Sequence, residues 1–335
     1  MKVWLPAVRS GTGADVFTQR LHDALHARGV DAEVTWFPLS AELFPAQMRR
    51  MSPPPGVDLV HANGWAGCAF ADRGIPLVVT VHHLVHDAAY APFCSVPQAI
   101  YHRLHLRGRD LRAIRRADAV TAVSGYVAGT VEAFSGRRGI RTIHNWIDAS
   151  TYRPGSAPRR PGPQRLLLVG NGGRRKGEDL LPALVDALGA GFDVRCTGGL
   201  RDGVGAGIAG ITWLGRLDEA ALIREYQDCD AVLSLSRYEG FGYTAVEGMA
   251  CGKPFLGFRT SGLAEVVSVD AGRLVSLEDV AALANEARRL RDAPGEALRM
   301  GAAGRHHVLA HFGEQKVDGY LRLYEELVAA RGAAA

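Results

Sequence analysis

The sequence is poor in cysteine, and its five cysteines are far apart. No two of them form the CxxC pair on which zinc ribbons, thioredoxin-like redox motifs and c-type haem sites depend. We interpret them as small buried hydrophobic residues in a reducing compartment, where thiols stay reduced. A disulfide framework and a zinc ribbon are therefore not expected.

Long apolar runs are also missing. No stretch approaches the about 18 consecutive apolar residues that a membrane-spanning helix needs, and no charged leader precedes an apolar segment at Met1. We expect neither a spanning helix nor a signal peptide, and we expect a cytoplasmic protein. Aromatic residues are only 7% of the chain and do not alternate with basic ones, so nucleic-acid binding by base stacking is not expected.

Glycine, by contrast, is abundant, with 40 residues in a chain of 335. This is about 12%, against an ordinary share near 7%. At roughly 100–200 residues per domain, the length predicts two domains. The formal net charge of +4 arises in residues 1–150, which contain 16 basic and 12 acidic side chains, whereas residues 151–335 contain 23 of each.

Short apolar runs alternate with amphipathic stretches in both halves, a pattern that predicts parallel strands covered by helices on both faces. The predicted strands of the first half are Lys2–Leu5, Ala32–Phe37, Val57–His61, Leu77–Val81, Ala119–Val123 and Arg141–Ile143. Those of the second half are Leu166–Val169, Asp193–Cys196, Ile211–Trp213, Ala231–Ser234 and Pro254–Gly257. From Leu277 onward the pattern is helical.

We therefore predict an α/β protein with two Rossmann-like, doubly wound parallel-sheet domains facing a central cleft, where ligands bind beyond the carboxyl ends of the strands. The first domain is 1–150. Four prolines make 151–164 a linker. The second domain is 165–312, and 313–335 is a C-terminal helix able to cross back to the first.

The loop after the first strand reads SGTGAD, from Ser10 to Asp15. Gly11 and Gly13 would let backbone N–H groups and a helix end approach a phosphate. A dinucleotide fingerprint needs a third glycine where Val16 stands, so a Rossmann dehydrogenase is disfavoured. An ordinary strand-to-helix turn is the alternative.

The second domain opens with GNGGRRKG, from Gly170 to Gly177. A Walker loop needs Ser or Thr after its lysine, and Gly177 follows Lys176 here, which disfavours a P-loop ATPase. Three cations among four glycines at a helix start still predict an anion site. A solvated basic turn is the alternative.

The most informative stretch is EGFGYTAVEGMACGKP, from Glu239 to Pro254. A helix that starts near Tyr243 places Glu247 one turn inside it, with the N–H groups of Gly242–Thr244 as donors to an anion. Carboxylates are natural acceptors for sugar and ribose hydroxyls.

Glu239 to Glu247 resembles the E-x7-E motif of the retaining family-4 glycosyltransferases with the GT-B fold. The similarity covers nearly the whole chain: SGTGA at Ser10–Ala14, TVH at Thr80–His82, ADAVTAVS at Ala117–Ser124, NWID at Asn145–Asp148 and WLG at Trp213–Gly215. The E-x7-E block with its downstream CGKP is the specific part.

The resemblance implies a role for individual residues. Glu239, His82 and Lys176 would be catalytic: Glu239 and His82 near the transferred sugar, and Lys176 on the diphosphate. Glu247 would bind the ribose hydroxyls. The other donor-binding residues that it implies are Gly11, Gly13, Asn171, Arg175, Gly215, Leu217, Phe241, Gly242, Tyr243 and Thr244.

The chain departs from the family at Asn171, where an arginine is usual, and Arg174 or Arg175 would supply that cation. We expect no cofactor and no metal. Asp228 and Asp230 spell a D-x-D, but an Asp before a buried strand is usually a turn former. His82, His83, His86 and Asp87 are the alternative metal cluster, with no further ligand evident.

The segment 101–116 contains six arginines and one aspartate. We expect an amphipathic helix with Leu104, Leu106, Leu111 and Ile114 facing inward. Its arginines are either a solvated face or a contact with anionic lipid headgroups or a lipid-diphosphate acceptor.

The resemblance implies a metal-independent, retaining hexosyltransferase that moves a sugar from a UDP- or GDP-linked donor to a glycan or lipid-linked acceptor hydroxyl. Cell-surface glycan, lipopolysaccharide or glycolipid assembly is the expected setting, in the cytoplasm or peripherally on the inner membrane face. The alternatives are a GT-B-like nucleotide-sugar epimerase or phosphorylase, and a non-catalytic sugar-nucleotide-binding partner.

Overall fold

The computed structural model describes residues 1–156, 161–170, 173–198 and 209–334. The chain forms two compact units: unit 1 is Met1–Trp146 with Glu314–Ala335, and unit 2 is Ile147–Gly313. Each unit contains a six-stranded sheet in which all neighbouring strands are parallel. The predicted α/β class with two doubly wound parallel sheets is confirmed.

The sheet of unit 1 has the order β2-β1-β3-β4-β5-β6. Its strands are β1 (Lys2–Val8), β2 (Asp31–Phe37), β3 (Leu59–Asn63), β4 (Leu77–Val81), β5 (Ala119–Ala122) and β6 (Arg141–Thr142). The helices between them are α1 (Gly13–His26), α2 (Ala46–Arg50), α3 (Val96–Tyr101), α4 (Arg107–Arg116) and α5 (Gly125–Ser135).

The sheet of unit 2 has the order β12-β11-β10-β7-β8-β9. Its strands are β7 (Gln164–Leu168), β8 (Phe192–Thr197), β9 (Ile211–Gly215), β10 (Ala231–Ser234), β11 (Phe255–Phe258) and β12 (Gly272–Val275). Its helices are α6 (Leu181–Leu188), α7 (Glu219–Asp228), α8 (Tyr243–Ala250), α9 (Leu263–Val266), α10 (Val280–Asp292) and α11 (Pro294–His311). The last helix, α12 (Val317–Ala334), belongs to unit 1.

Helix α12 completes the core of unit 1. Val317, Tyr320 and Tyr324 are fully buried on one stripe of the helix and pack with the sheet residues. His61 of β3 joins the helix to the sheet, with Nδ1 2.5 Å from the Tyr324 hydroxyl and Nε2 2.6 Å from Thr80 Oγ1. Burial lowers the pKa of His61 to about 3, so its ring is neutral.

The structure corrects the expected register of the helical stretch 96–116. A π-helical turn, His102–Leu106, separates α3 from α4. Because a π turn contains more residues than an α turn, it shifts the face on which later residues lie. Leu104, predicted to face inward, is 71% exposed, whereas Leu106 and Ile114 are buried as predicted.

Strand β12 was not among the predicted strands, because its four residues, GRLV, lack the longer apolar run of its neighbours. The predicted linker 151–164 has no helix or strand in its described part before Gln164, where β7 begins, and its residues 157–160 lie outside the description. Within the described ranges, no helix combines the length and apolar character that crossing a membrane requires.

Candidate active site

The carboxyl-terminal edge of the unit 2 sheet brings together two loops that are distant in sequence. Strands β7 and β10 are neighbours, and the chain leaves them in opposite directions, β7 toward β8 and β10 toward β11. Such a point of reversal leaves a crevice beyond the strand ends. The loop after β7 carries Lys176 and the loop after β10 carries Glu239, so two residues 63 positions apart meet there.

Lys176 and Glu239 form a direct ion pair between Nζ and Oε1. Arg175 adds a second cation, with Nη1 3.9 Å from Glu239 Oε2, and it donates a 2.9 Å hydrogen bond to the Tyr238 carbonyl. Burial opposes ionisation of Glu239, but attraction to Lys176 and Arg175 outweighs it and holds its pKa below the ordinary glutamate value. Two cations thus surround one carboxylate, which favours an anionic ligand.

Gly177 allows the Lys176 loop to lie this close to β10. Its φ is +74°, and a Cβ at this position would lie 2.2 Å from the Leu235 carbonyl oxygen. An L side chain is disfavoured in this backbone region and would collide with the neighbouring strand end. Gly177, the residue that argues against a Walker loop, is therefore required by the close packing of the Lys176 loop against the end of β10.

Arg237 holds the loops together, and the sequence analysis did not identify it. Its guanidinium donates to both carboxylate oxygens of Asp179 over 2.6 and 2.9 Å and to the Arg174 carbonyl over 2.5 Å. It also pairs with Glu278. Its sequence signal, a cation two residues before Glu239, is weak because a basic residue there is equally compatible with a solvated position.

Helix α8 begins at Tyr243, as predicted. Gly242, with a φ of +103°, is its N-cap residue, and Phe241 before it is buried against the rings of Tyr243 and Phe312. The backbone of Gly242–Thr244 therefore lies at the positive end of α8, where N–H groups favour anions.

Glu247 lies one turn inside α8 and is 7% exposed. The Tyr226 hydroxyl donates to its Oε2 over 3.0 Å. Burial and the neighbouring carboxylate raise the pKa of Tyr226 well above its ordinary value, so the phenol stays a neutral donor. Tyr226, on α7, was not predicted as part of the site, since pairing it with Glu247 requires the fold.

A pocket opens at the same strand ends. Its lining includes Lys176, Thr197, Trp213 and Ser236, from the ends of four adjacent strands or the loops that follow them. An indole in the wall of this pocket suits a flat ring system.

Of the other predicted donor residues, Gly215 ends β9 with a φ of +68°, and Leu217 directly precedes the N-cap of α7. Arg174 is exposed, whereas Arg175 lies beside Glu239. Asn171 lies outside the described residues.

Unit 1 has an equivalent strand-end edge, where β1 and β3 are neighbours. The glycine-containing loop follows β1, and Gly13 is the first residue of α1. Asp15 binds this loop internally: its carboxylate accepts from the N–H groups of Ser10 and Gly11 over 3.0 and 2.8 Å. Of the two predicted anion donors in this loop, the Gly11 N–H is therefore already bound to a carboxylate.

The hydrogen bonds around His82 determine its tautomer. The Thr18 hydroxyl donates to the Ala14 carbonyl over 2.9 Å, so Thr18 Oγ1 accepts from Asn63 Nδ2, 2.8 Å away. This orientation of the amide turns Asn63 Oδ1 toward His82 Nε2 at 2.9 Å, and Nε2 must carry the proton. Asn63, at the end of β3, was not predicted to be a site residue.

Burial, with a smaller effect of His83, lowers the pKa of His82 to about 3. The ring is therefore neutral at physiological pH, protonated on Nε2 and unprotonated on Nδ1. Its centroid lies 4.7 Å from that of Phe17 in an edge-to-face contact that fixes the ring plane. His82 can thus act as a hydrogen-bond acceptor through Nδ1.

The residues of the two alternative metal sites have other contacts. His86 lies 3.1 Å from Asp110, Asp87 accepts from the Tyr126 hydroxyl over 2.8 Å, and Asp230 accepts from the Arg165 N–H over 2.9 Å. In the part of the chain that the structure describes, no three His, Cys, Asp or Glu side chains are grouped so that they could hold a metal ion.

Comparison with known structures places this fold among glycosyltransferases. Sucrose-phosphate synthase from Thermosynechococcus elongatus matches 98% of this chain and 100% of its own, with a TM-score of 0.81 at 21% identity. The Anabaena protein HepE in complex with UDP-glucose matches 98% of this chain and 100% of its own, with a TM-score of 0.73 at 18% identity. The predicted GT-B fold is confirmed.

Sequence comparisons agree. Residues 22–151 match the family model "Glycosyltransferase Family 4" and residues 206–307 match "Glycosyl transferases group 1". The D-inositol 3-phosphate glycosyltransferase of Thermobifida fusca (strain YX) is 31% identical over 311 residues, which cover 80% of this chain and 69% of that protein. The chain therefore belongs to the family-4 glycosyltransferases.

Proposed function

We propose that the protein is a retaining hexosyltransferase that uses a UDP- or GDP-linked sugar and transfers it to an acceptor hydroxyl. The acceptor would be a growing cell-surface glycan, a lipopolysaccharide or a glycolipid. The observation that carries the proposal is the Lys176–Glu239 ion pair at the ends of β7 and β10, next to the start of α8. The HepE complex with UDP-glucose supports a nucleotide-sugar donor.

In this proposal the cations of the β7 loop bind the diphosphate. When the donor binds, Lys176 and Arg175 interact with the phosphate oxygens and less strongly with Glu239. They then stabilise the negative charge that develops on the leaving nucleotide. This electrostatic work is what a divalent cation does in metal-dependent transferases, and we assign it here to the two side chains. The N–H groups at the start of α8 add donors.

The remaining roles follow from hydrogen-bond capacity. Glu239 accepts from hydroxyls of the transferred sugar, and Glu247 accepts from the ribose, with Tyr226 holding its carboxylate in place. Phe241 orients the Gly242 turn by its burial. In unit 1, His82 accepts a sugar hydroxyl through Nδ1.

For the chemical step we propose same-face substitution. The acceptor hydroxyl attacks the anomeric carbon on the face that the nucleotide leaves, the bond to the phosphate oxygen breaks, and that oxygen takes the hydroxyl proton. Neither Glu239 nor Glu247 acts as a covalent nucleophile in this scheme, since both serve as hydroxyl acceptors. The product keeps the anomeric configuration of the donor.

A thermal-shift panel of UDP, GDP, ADP and their sugar conjugates tests the donor. A stabilising shift by one nucleotide and its sugar identifies it, because a ligand that binds only the folded state stabilises that state. Transfer with that donor, followed by NMR of the anomeric proton and carried out with and without EDTA, then tests retention and metal independence.

Each result has a defined meaning. An inverted anomeric centre, or activity that EDTA abolishes and Mg²⁺ restores, would overturn the corresponding part of the proposal. Nucleotide release with no acceptor present would instead indicate an epimerase, and phosphate-dependent glycan cleavage a phosphorylase. Binding without turnover for any acceptor would indicate a non-catalytic sensor.

A further inference from the structure

Two segments of unit 1, residues 39–50 and 96–107, concentrate exposed apolar side chains. Six large hydrophobic residues in them are more than half exposed: Leu39 (55%), Leu43 (53%), Phe44 (63%), Val96 (74%), Ile100 (53%) and Leu104 (71%). Every residue from Ser95 to Ile100 is exposed. Apolar surface of this kind is unfavourable in water and marks an interaction site.

The two segments are neighbours in the fold. The Tyr101 hydroxyl donates to Glu42 Oε1 over 2.8 Å, and the Arg109 guanidinium donates to the Glu42 carbonyl oxygen. The end of α3 therefore lies against the chain between Leu39 and Phe44. We call these two segments together the apolar–basic face.

The charge of this face is of one sign. Residues 88–109 contain no aspartate or glutamate, and Glu42 is the one acid of residues 39–50. Tyr101 already binds that carboxylate. Arg50 and Arg103 are exposed, and in the described part of the chain neither has a carboxylate at ion-pair distance.

The arginines further along α4 are engaged within the protein. Arg112 and Arg116 pair with Asp72 at 3.0 and 3.6 Å, and Arg115 donates to the Ser135 carbonyl over 3.1 Å. The cations available to an external partner are thus those around α3 rather than the whole segment 101–116. Leu104, in the π turn, is exposed and directly follows the exposed Arg103 in the sequence.

We propose that the apolar–basic face docks on the surface of a bilayer that contains anionic lipids. The exposed leucine, isoleucine, valine and phenylalanine side chains enter the boundary between headgroups and acyl chains. Arg50 and Arg103 meet lipid phosphates, to which a guanidinium donates in a fork geometry. The short helix α3, in which Val96–Ile100 are all exposed, is the element that inserts.

A second copy of this chain is the less favourable occupant. A two-fold contact through the same face would place Arg50 and Arg103 of one copy against a face of the other copy that has no free acid to offset them. An anionic bilayer satisfies both the apolar and the basic character. This inference does not depend on the proposed transferase activity.

Co-sedimentation of the full chain with phosphatidylcholine vesicles, with and without phosphatidylglycerol, tests the inference. We expect binding to the anionic vesicles that weakens as salt is raised. The triple variant Val96→Ser/Ile100→Ser/Leu104→Ser should weaken this binding at least tenfold. Arg50→Gln/Arg103→Gln should weaken it at least threefold and remove most of its salt dependence.

The matched control is Val269→Ser/Leu277→Ser/Leu298→Ser, which removes three exposed apolar side chains of unit 2 and should bind like the parent. The comparison is valid if both triple variants unfold at the same melting temperature as the parent. We expect equal melting temperatures because all six substituted side chains are exposed. The inference is overturned if the parent ignores anionic vesicles, or if both triple variants bind them equally. Loss of a dimer from the α3 variant, with its vesicle binding unchanged, would identify the face as a self-association surface instead.

Discussion

The strand-end edges of the two units are alike in topology and opposite in chemistry. In each unit, a glycine-containing loop follows the first strand in sequence, β1 or β7. A polar residue lies at or beyond the end of the strand beside it, β3 or β10. In each, a later carboxylate binds the loop: Asp15 accepts from Gly11 N–H over 2.8 Å, and Glu178 accepts from Gly173 N–H over 2.6 Å. These features alone do not separate the two sites.

The difference lies in the charged side chains. The unit 2 loop adds Arg175 and Lys176, which meet Glu239 from β10. The one cation of the unit 1 loop, Arg9, lies over the Trp36 ring, with its guanidinium carbon 4.8 Å from the ring centroid. The neighbour of this loop is the neutral Asn63, which is hydrogen-bonded to the neutral His82. Glycine spacing supplies backbone freedom, whereas cations decide whether a strand end can bind a polyanion. The comparison supports the proposal that unit 2 binds phosphate and that the His82 site binds neutral hydroxyls.

The largest expected difference between the two loops is the loss of stability when Gly177 or Gly11 is replaced by alanine. Gly177→Ala should cost about 3 kcal/mol of stability, because it combines a left-handed backbone with a collision at the Leu235 carbonyl. Gly11→Ala should cost about 1 kcal/mol, because its φ is also positive but no atom lies within 4 Å of the added Cβ. The midpoints of urea unfolding measure both, and equal losses would contradict the packing difference.

Removing the cation should have the next largest effect. Lys176→Ala should lower the transfer rate about 100-fold, as loss of one group that stabilises developing charge does in other enzymes. Arg174→Ala is the control, since Arg174 is exposed, and it should change the rate less than about threefold by the same reasoning. Steady-state transfer with the identified donor measures both, and equal effects would mean that the basic loop acts only through its overall charge.

Glu239→Gln should lower transfer about tenfold by weakening the contact with sugar hydroxyls. It should also change the pH dependence of stability. The folded-state pKa of Glu239 is lowered, so its ion pair stabilises the protein above the ordinary glutamate pKa and this contribution disappears as pH falls through the lowered value. The difference in melting temperature between parent and variant should therefore shrink on acidification below about pH 4.5.

The smallest effect is expected at the neutral site. Asn63→Leu removes the acceptor that holds the proton on His82 Nε2, and should lower transfer about fivefold. The ¹⁵N chemical shifts of the His82 imidazole measure its tautomer directly. A substitution that only perturbs packing would leave this tautomer unchanged. Asn63→Gln should restore part of the Nε2–H signal, and an unaltered tautomer in Asn63→Leu would refute the positioning role.

Much of the fold was predictable because parallel strands buried on both faces leave continuous apolar runs. Most of the eleven predicted strands have such runs, although β6 (Arg141–Thr142) is exposed, and β12 (GRLV) has too short a run to be recognised. The exposed position of Leu104 could not be predicted either. Leu104 lies in the π turn His102–Leu106, and the apolar periodicity of the sequence does not show that a π turn replaces an α turn there.

The candidate site divides in the same way. Lys176, Glu239 and Glu247 were predicted from glycine-rich turns and the eight-residue spacing of two carboxylates. Arg237, Tyr226 and Asn63 were not, because each acts through a residue at least 19 positions away that only the fold brings near.

By itself the sequence determined the two parallel sheets, the positions of the glycine-rich turns and the residue types available for phosphate and hydroxyl recognition. These are local properties of apolar periodicity, backbone freedom and side-chain chemistry. Only the tertiary structure decided which charges meet. The order of strands brings Lys176 to Glu239, and the hydrogen bonds from Thr18 through Asn63 determine which nitrogen of His82 is protonated. Contacts between distant segments depend on topology. They make the strand-end edge of the unit 2 sheet charged and that of the unit 1 sheet neutral.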